Sequence, residues 1–384
     1  MIKLVSDTID KNDIDKLIDW LSQDDIPRLT KGEKTLEFED KWSNKINVNS
    51  TTYVNSGSSA ILLSLAALKE SGKLKNNKIV VPGLSWITDV SSPLQLGMDV
   101  ILCDCNLDNL SIDINHFKEI IKEESPAALL LVSVLGLIPE MNEILEICKE
   151  NDIVLIEDVC ESMGSKYEDK YLGTFGDVSV FSLYYGHHLS TIEGGFICTN
   201  DMELADIIVS MRSHGWDRDW SKNKQKENRE KYGINEFDAL YTFYYPGFNL
   251  RSTDLQAFIG LSQIDKLGGY SNNRANNFKL YNEKITGNKL NIAINDKSFV
   301  SNFAYPIVSE YRDCIVKKLI DNDIEVRPLI AGSIAKNPFW KGERNNLPNC
   351  DLIDTYGFYL PNHQDLSIKE IDIICDIVNN TKTK

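Results

Sequence analysis

The sequence predicts an α/β protein in which helices sandwich a mostly parallel sheet, with a smaller α+β unit towards the carboxyl terminus. Between about residues 50 and 200, short apolar runs alternate with segments whose apolar residues have helical spacing, as in β-α units. These apolar runs are continuous, which is typical of strands buried on both faces. The pattern changes after about residue 200. We therefore predict a large domain at 1–260, which includes an N-terminal helical segment, and a small domain at 261–384.

The predicted strands follow one another through the first half of the chain. In order, they are KIVVPG (78–83), DVILCD (99–104), ALLLVSVLG (128–136), IVLIED (153–158), VSVFSLYY (178–185) and GFICTN (195–200). Helical spacing of apolar residues predicts helices at 58–71 and 141–151, and again from residue 201 and from Ser252. The charged stretch 222–236 is predicted to be a solvated surface insertion.

Composition limits the classes of function that fit this chain. With 384 residues, 42% of them hydrophobic, it can bury a substantial core. Its formal charge of -16 repels nucleic acid and anionic membranes, so neither is an expected partner and an anionic ligand requires a local group of basic residues. The amino terminus lacks the apolar core of a signal peptide and no run approaches the ~18 apolar residues of a membrane span, so the expected location is the cytoplasm. The eight cysteines form no C-x-x-C pair and are expected to be buried, reduced thiols.

Two motifs lie where a predicted strand meets a predicted helix, the place where ligands collect in parallel α/β sheets. In VNSGSSA, free amides and hydroxyls of Ser56, Gly57 and Ser58 can bind a phosphate, although the same residues also make an ordinary helix cap. In VPGLSWITD, Trp86 follows a strand, where an indole can stack on a flat ring or pack in the core. Each motif alone leaves both interpretations open.

The motif IEDVCESMG (156–164) places two carboxylates, Glu157 and Asp158, at the end of a very apolar strand. A buried carboxylate requires a cationic or hydrogen-bonding partner. The pyridinium nitrogen of pyridoxal phosphate (PLP) is one such partner. Glu161, three residues later, can then hydrogen-bond the phenolic oxygen of the same ring. An acid that caps the following helix is the alternative.

Six motifs follow one another along the chain: NSGSSA, VPGLSW, IEDVCESMG, FGDVSVFSLYYGHHLSTIEGG, MRSHGWDRD and GFNLRSTDLQAFIG. In this order, over most of 30–270, they resemble the successive motifs of the sugar aminotransferase family. Near the carboxyl terminus, IEVRPLIAGSIAKNPFW and GFYLPNH resemble the dehydratase branch of that family. The resemblance implies a PLP enzyme of fold type I, the aspartate aminotransferase fold, that acts on nucleotide-linked keto sugars.

The resemblance also implies which residues hold the cofactor phosphate. Gly57 and Ser58 match the phosphate-binding start of the first helix, and Ser182 matches a second phosphate ligand. Asn249, in GFNLR, matches a residue that reaches the phosphate of the neighbouring subunit. This last match implies a homodimer whose active sites are shared between subunits.

Three further matches concern the cofactor ring. By the family pattern, Trp86 stacks on the pyridine ring and Asp158 pairs with the ring nitrogen. Glu161 takes the place that a glutamine usually holds near the ring oxygen.

The chain departs from the family at the lysine that holds the cofactor covalently. In the aminotransferases this lysine comes five residues after the equivalent of Ser182 and six before the glutamate of EGG, and here that position is His187. Imidazole cannot form the covalent link, so a cofactor held non-covalently, with a free amine, is implied. Histidine can accept and deliver a proton near neutral pH. His188 is expected to line the substrate pocket or to support His187.

The histidine favours loss of the sugar's C3 hydroxyl over transfer of an amine. The implied reaction converts a nucleotide-linked 4-keto-6-deoxyhexose, expected to be GDP-4-keto-6-deoxy-D-mannose, to a 3,6-dideoxy-4-keto sugar. L-Glutamate restores the pyridoxamine phosphate form and leaves as 2-oxoglutarate, and ammonia is released. The alternatives are a nucleotide-sugar 4-aminotransferase that works without the lysine, and a non-catalytic relative that binds PLP or a nucleotide sugar.

A related branch with the same histidine carries an iron-sulfur cluster on carboxy-terminal cysteines. After Cys198 this chain has only Cys314, Cys350 and Cys375, and they are not closely spaced. We therefore expect no iron-sulfur cluster and no other metal.

The anionic substrate requires basic groups. The candidates are His214, Arg218, Arg251 and Arg327, because the planar fork of arginine suits carboxylate and phosphate groups. Arg251 is expected to meet the glutamate carboxylate or the diphosphate. For Arg327, a surface salt bridge is the alternative.

Overall fold

A computed structural model describes residues 1–287, 290, 292, 297–342 and 346–381 of the chain. Its helices are α1 (Lys11–Leu21), α2 (Glu33–Ile46), α3 (Gly57–Glu70), α4 (Ile87–Gln95), α5 (Ile114–Glu124), α6 (Met141–Glu150), α7 (Met202–Arg212), α8 (Lys222–Tyr232), α9 (Asp254–Lys284), α10 (Arg312–Asp321), α11 (Pro348–Tyr356) and α12 (Ile368–Asn380). Its strands are β1 (Ser50–Val54), β2 (Lys78–Pro82), β3 (Asp99–Cys103), β4 (Ala128–Val132), β5 (Val154–Asp158), β6 (Lys166–Tyr167), β7 (Lys170–Tyr171), β8 (Val178–Ser182), β9 (Gly195–Thr199), β10 (Ser298–Phe299), β11 (Tyr305–Val308), β12 (Arg327–Pro328) and β13 (Gly357–Leu360). Within these ranges, no helix combines the length and apolar character needed to cross a membrane.

The central sheet has seven strands in the order β1-β9-β8-β5-β4-β2-β3. The five strands from β8 to β3 pair in parallel, whereas β9 runs antiparallel to both β8 and β1. The prediction of a mostly parallel sheet is therefore confirmed. Because β2, β5 and β8 are parallel, their carboxyl ends lie along one edge of the sheet.

Both faces of this sheet are covered, as the continuous apolar strands predict. Leu129 and Leu131 of β4 belong to a buried cluster that includes Trp42 of α2. Their neighbour Leu130 belongs to a second cluster, which includes Leu63 of α3. Successive residues of a strand point to opposite faces of the sheet. The two clusters are therefore the hydrophobic cores on its two sides.

Two strands end earlier than predicted. β4 ends at Val132 rather than at 136, because Leu135 adopts a left-handed backbone with a φ of 53°. The carbonyl of Leu135 accepts hydrogen bonds from the Asn302 side chain and the Phe303 amide instead of from a strand. β8 ends at Ser182 rather than at 185.

Strand β1 was not predicted from the sequence. It begins with the polar residues Ser50, Thr51 and Thr52 and pairs antiparallel with β9 along its whole length. Its burial therefore depends on a partner almost 150 residues away.

The carboxy-terminal part is α+β, as predicted. β11, β13 and β12 form a three-stranded antiparallel sheet that packs with α11. The proposed division between 260 and 261 lies inside α9, and it stays a prediction. The charged segment 222–236 is largely exposed, as predicted, but it contains helix α8.

All eight cysteines are free thiols, as expected. Six are buried, whereas Cys160 and Cys314 are partly buried.

Candidate active site

The amino-terminal end of α3 meets the end of β8 at the carboxyl edge of the sheet. A side chain at Gly57 would place its Cβ 2.9 Å from the Cβ of Ser182, so only glycine permits this approach. Ser56 caps the helix, since its hydroxyl accepts a hydrogen bond from the Ser59 amide at 3.0 Å. The amides of Gly57 and Ser58 are in the first turn, where a helix offers no internal acceptor. Together with the helix dipole they form an anion-binding end.

Ser182 lies beside this helix end. Its hydroxyl accepts a hydrogen bond from the Tyr184 amide at 3.3 Å, and so keeps its own proton for donation to another acceptor. Gly57, Ser58 and Ser182 are thus brought together, whereas the hydroxyl of Ser56 is engaged in the cap.

The two carboxylates that end β5 have different surroundings. Glu157 accepts hydrogen bonds from the amides of Gly173, Phe175 and Gly176 at 2.7–2.8 Å, which fixes that loop. Asp158 points to the other face of the sheet and accepts one hydrogen bond from the Cys160 amide at 2.8 Å. Glu157 is therefore a structural residue, and Asp158 is available to a ligand at the sheet edge.

Glu161 lies one turn beyond Asp158 and is half-buried. Its carboxyl accepts a hydrogen bond from the Leu135 amide at 2.8 Å. Burial raises the pKa of Glu161 to about 7, and the Asp158 charge adds to the effect while the Leu135 amide opposes it. Near neutral pH this carboxyl can carry a proton, and it can then donate a hydrogen bond as a glutamine does.

Trp86 caps the start of α4 without a side-chain cap bond, and 56% of its surface is exposed. The indole borders a cavity of about 500 Å³, whose other wall is the segment from Pro328 to Gly332. An exposed indole at the end of a buried strand can stack on an incoming flat ring. The alternative position in the core is excluded for Trp86.

His187 has the surroundings of a neutral imidazole. It is half-buried, and its ring lies 5.4 Å from the ring of Phe303 between centroids. Its buried Nδ1 has no hydrogen-bond partner among the described residues. Burial lowers the pKa of His187 to about 4, the Cys160 carbonyl opposes this shift, and the charge of Arg274 adds to it.

His188 does not line a pocket, which corrects its assignment as a substrate ligand. Its ring is completely buried, and Nε2 lies 2.9 Å from the carbonyl oxygen of Ser301. A carbonyl only accepts, so Nε2 carries the proton and donates it. His188 thus fits the other expectation, a residue that supports His187 by fixing the chain after it.

Two aromatic residues of the site were missed in the sequence. Phe303 and Tyr359 come from the carboxy-terminal part, and their ring centroids are 6.3 Å apart. Tyr359 lies close enough to Glu161 and Arg327 for both charges to act on its pKa, which burial raises to about 12. Arg327 is exposed, and its charge, like that of Glu161, reaches Tyr359. The only sequence signal for Phe303 and Tyr359 is that each lies in a short apolar and aromatic segment.

The remaining basic candidates form a second group around Trp216. Arg218 stacks on the Trp216 ring at 3.8 Å, and Arg251 lies 5.8 Å from the same ring. Nη2 of Arg251 is 3.5 Å from Nε2 of His214, and Nε of Arg251 donates to the Asn249 side chain at 3.0 Å. This group is called the Trp216 cluster below.

Backbone contacts connect the Trp216 cluster to the segment just before α3. Arg251 pairs with Val54, and the Asn55 amide donates to the Leu250 carbonyl at 3.0 Å. Asn249 itself is exposed. The cluster therefore offers its side chains to the surface beside α3.

The described residues fit PLP. The end of α3 and Ser182 suit its phosphate, and the cradle at Gly57 has no room for a side chain. Asp158, 5% exposed, suits the ring nitrogen, and the open indole of Trp86 suits the ring face. His187 has a nitrogen, Nδ1, without a hydrogen-bond partner among the described residues, but it has no amine that could bind the cofactor covalently.

Comparison with known proteins agrees with this geometry. A family model described as the DegT/DnrJ/EryC1/StrS aminotransferase family matches residues 7–379. The chain is 33% identical over 367 residues to GDP-4-keto-6-deoxy-D-mannose 3-dehydratase of Escherichia coli O55:H7, covering 92% of this chain and 94% of that one.

Solved structures give the same picture. The E. coli GDP-4-keto-6-deoxy-D-mannose-3-dehydratase with bound hydrated PLP has a TM-score of 0.89 at 31% identity, covering 98% of this chain and 99% of that one. A GDP-4-keto-6-deoxymannose-3-dehydratase with a trapped PLP-glutamate geminal diamine has a TM-score of 0.89 at 30% identity, covering 98% and 100%.

Proposed function

The chain belongs to the DegT/DnrJ/EryC1/StrS aminotransferase family, and on that premise we propose that it is a PLP-dependent lyase that removes the C3 hydroxyl of a nucleotide-linked 4-keto-6-deoxyhexose. The proposed substrate is GDP-4-keto-6-deoxy-D-mannose, because the name of the Escherichia coli relative reported above contains it. The proposed amino donor is L-glutamate, and the products are the 3,6-dideoxy-4-keto sugar, 2-oxoglutarate and ammonia.

The observation that carries this proposal is His187 at the position of the family's lysine. The register is set on both sides, by Ser182 at the end of β8 and by Glu193 before β9. Without an amine, the chain cannot bind the cofactor covalently or displace a bound product. His187 brings no competing amine to the site, and this would favour elimination over release of an amino sugar.

In this proposal a different set of residues contacts each group of the cofactor. Gly57, Ser58 and Ser182 would bind the phosphate, Asp158 would accept a hydrogen bond from the protonated ring nitrogen, and Trp86 would cover the ring. Glu161, able to carry a proton near pH 7, donates to the phenolic oxygen. When bound, the pyridoxamine form supplies the amine that joins the keto sugar and an electron-withdrawing ring that permits loss of the C3 hydroxyl.

His187 acts as the general base and then as the general acid. Its half-buried imidazole is neutral at pH 7, because burial holds its pKa to about 4 in the cofactor-free protein. The cofactor phosphate and the diphosphate of the sugar would bring negative charge, which raises the pKa of a nearby imidazole towards neutrality. A base near neutrality can accept a proton and deliver it to the leaving hydroxyl.

The basic residues are proposed to hold the anionic parts of the substrates. Arg327 is proposed to meet the glutamate carboxylate or the sugar diphosphate, and its exposure and its closeness to Tyr359 support this. His214, Arg218 and Arg251 of the Trp216 cluster carry the charge for a second anionic group. In a chain with a net charge of -16, such a local cluster is required to attract a dianion.

We further propose a homodimer in which Asn249 reaches the partner's cofactor phosphate. Asn249 is exposed beside α3. The neighbouring segment presents large apolar side chains to the surface: Tyr232, Phe237, Leu240, Tyr241 and Phe243 are 50–82% exposed. Apolar surface of this kind marks an interface. A second copy of the chain is the occupant that would complete both sites.

An iron-sulfur cluster is not part of the proposal. Cys314, Cys350 and Cys375 lie on three different helices, α10, α11 and α12. Among the described residues, Cys350 groups with Cys105 and Asp104 instead. Asp104 accepts hydrogen bonds from the first-turn amides of α11 at 2.9–3.0 Å, so this group caps a helix.

The test is the stoichiometry of the products. Purified protein with PLP, L-glutamate and a series of nucleotide-linked 4-keto-6-deoxy sugars is expected to release one ammonia and one 2-oxoglutarate for each sugar, fastest with the GDP sugar. A stable 4-amino sugar without free ammonia would indicate an aminotransferase. Bound cofactor without turnover of any sugar would indicate a non-catalytic relative.

A further inference from the structure

A third acid lies buried behind the pyridine end of the site. Asp89, in the first turn of α4, is 0% exposed. Neither of its carboxylate oxygens has a hydrogen-bond partner among the described residues. The sequence motif VPGLSWITD contains this residue, but an acid three positions after the start of a helix is usually just a cap.

Asp89 is not the cap of its own helix. α4 has no side-chain cap hydrogen bond, and the Trp86 amide lies near Asp89 without forming a hydrogen bond to it. A buried carboxyl without a donor is costly, so an explanation other than capping is required.

The neighbour of Asp89 is another carboxylate, Asp158. As two carboxylates they form no hydrogen bond, but they are close enough for one to form when either is protonated, and Glu161 is near enough for its charge to act on Asp89. Two carboxylates in contact in a buried site cannot both ionise, and they share a proton. Burial first, and then the Asp158 charge, raises the pKa of Asp89 well above its usual range, so Asp89 is the member that keeps the proton.

We propose that Asp89 is a positioning residue, whose carboxylic acid donates a hydrogen bond to Asp158 and orients that carboxylate towards the ring nitrogen of the cofactor. The inference deepens the proposed function, because it rests on Asp158 facing the ring. Asp158 already accepts from the Cys160 amide through Oδ1, and a proton from Asp89 fixes the plane of the carboxylate further. Of the roughly four lone-pair positions of the Asp158 carboxylate, about two are then left to face the ring.

The arrangement also matches charges. With one shared proton, Asp89 and Asp158 carry a single negative charge, which equals the single positive charge of a protonated pyridine ring. Ionisation of both would leave an unpaired buried charge. The third acid therefore adds a donor without adding charge.

Two substitutions test whether Asp89 acts as a hydrogen-bond donor or only packs in the interior. Asp89→Asn keeps a hydrogen-bond donor of the same shape, whereas Asp89→Leu keeps the approximate shape and removes the donor. We expect cofactor-stripped Asp89→Asn to bind PLP and pyridoxamine phosphate within about 3-fold of the wild type, and Asp89→Leu to bind about 10-fold more weakly, because a hydrogen bond to a charged group is lost. Affinity is measured by titration of the stripped protein, without any sugar.

A spectrum and a structural comparator complete the experiment. The absorption of bound PLP is expected to be constant between about pH 6 and 8 in the wild type and Asp89→Asn, but to change in Asp89→Leu, because the ring nitrogen loses its proton more easily. Glu157→Gln serves as the comparator: it weakens a structural loop anchor and is expected to lower the unfolding midpoint while affinity stays within about 3-fold.

Each result has one meaning. Equal affinity and an unchanged spectrum in Asp89→Leu would overturn the inference alone. A lower unfolding midpoint in both Asp89 variants, without the affinity pattern, would make Asp89 structural and also overturn it. Failure of the wild type to bind either form of the cofactor would overturn the proposed function and this inference with it.

Discussion

At the scale of single residues, two adjacent histidines have opposite surroundings. His187 is half-buried with an unpaired Nδ1, whereas His188 is fully buried and donates to the Ser301 carbonyl. Consecutive residues outside a helix point in different directions. One of the pair can therefore face a ligand while the other anchors the chain, and this is the division of roles that we propose.

His187→Asn is expected to lower the dehydration rate by about 10²–10⁴-fold, the usual contribution of a general acid-base residue, while the cofactor stays bound. Rate is measured as 2-oxoglutarate release, and bound cofactor by absorption. His116→Gln is the matched control, because His116 lies on α5 and its ring accepts from the Asp104 amide, a role that glutamine can take. Undiminished turnover in His187→Asn would show that His187 is not the general base.

A pH titration tests the electrostatics of His187. Its pKa is lowered from 6.5 to about 4, so the neutral ring stabilises the cofactor-free fold above pH 6.5, and this contribution is lost as the pH falls through that window. We expect its ring NMR signal, assigned by its absence in His187→Asn, to titrate near 4 in the stripped protein. A midpoint at or above 6.5 would show that burial does not control the ring.

Sequence alone identifies residues that lie within motifs and misses those brought in by the fold. Ser182 and Glu193 fix the register of His187, and this needs no structure. Asp89, Phe303 and Tyr359 were not identified as site residues. Their roles depend on which side chains the sheet edge and the carboxy-terminal part bring together.

At the scale of elements, the close contact of α3 with β8 forms the phosphate end. Gly57→Ala would bring a methyl group to 2.9 Å from the Ser182 Cβ. We expect the helix end to shift at a cost of about 1–3 kcal/mol, with cofactor affinity falling by tenfold or more. Affinity for PLP is measured by titration of the stripped protein.

Gly268→Ala in α9 is the control for that substitution. A Cβ at Gly268 meets nothing within 4 Å, so alanine should stabilise the helix by about 0.5–1 kcal/mol and leave affinity unchanged. Normal affinity in Gly57→Ala would mean that the phosphate binds elsewhere.

Element type was predictable where local pattern decides it. β2, β3, β5 and β9 lie within one residue of their predicted bounds, because each is a continuous apolar run. Strand ends at the site were not predicted well, since the left-handed Leu135 that shortens β4 is held by Asn302 and Phe303 from far along the chain. β1 was missed for the same reason, because β9 supplies its pairing.

At the scale of the whole molecule, parts far apart in sequence meet at one edge of the sheet. Buried Arg274 of α9 donates to the carbonyls of Phe303 and Asn362, which holds the segment carrying Phe303 against His187. No sequence pattern indicates this long-range anchor. The exposed aromatic residues of 232–243 extend the assembly to a second copy in our account.

Mixed dimers test whether sites are shared. His187→Asn and Asn249→Ala chains are each expected to be nearly inactive alone. Mixed in equal amounts and allowed to exchange, they should regain about a quarter of wild-type activity, because half of the dimers are mixed and each has one of two sites intact. No recovery, with exchange verified by mass, would mean that Asn249 serves its own subunit.

The central claim is that a histidine in place of the lysine changes amine transfer into loss of a hydroxyl. The most direct measurement is the mass of the nucleotide sugar formed from the GDP-linked 4-keto-6-deoxy sugar with nitrogen-15-labelled glutamate. Our account predicts a sugar one oxygen atom lighter than the substrate and free of label, with the label in ammonia. A sugar that retains its oxygen at C3 and carries the labelled nitrogen would contradict it.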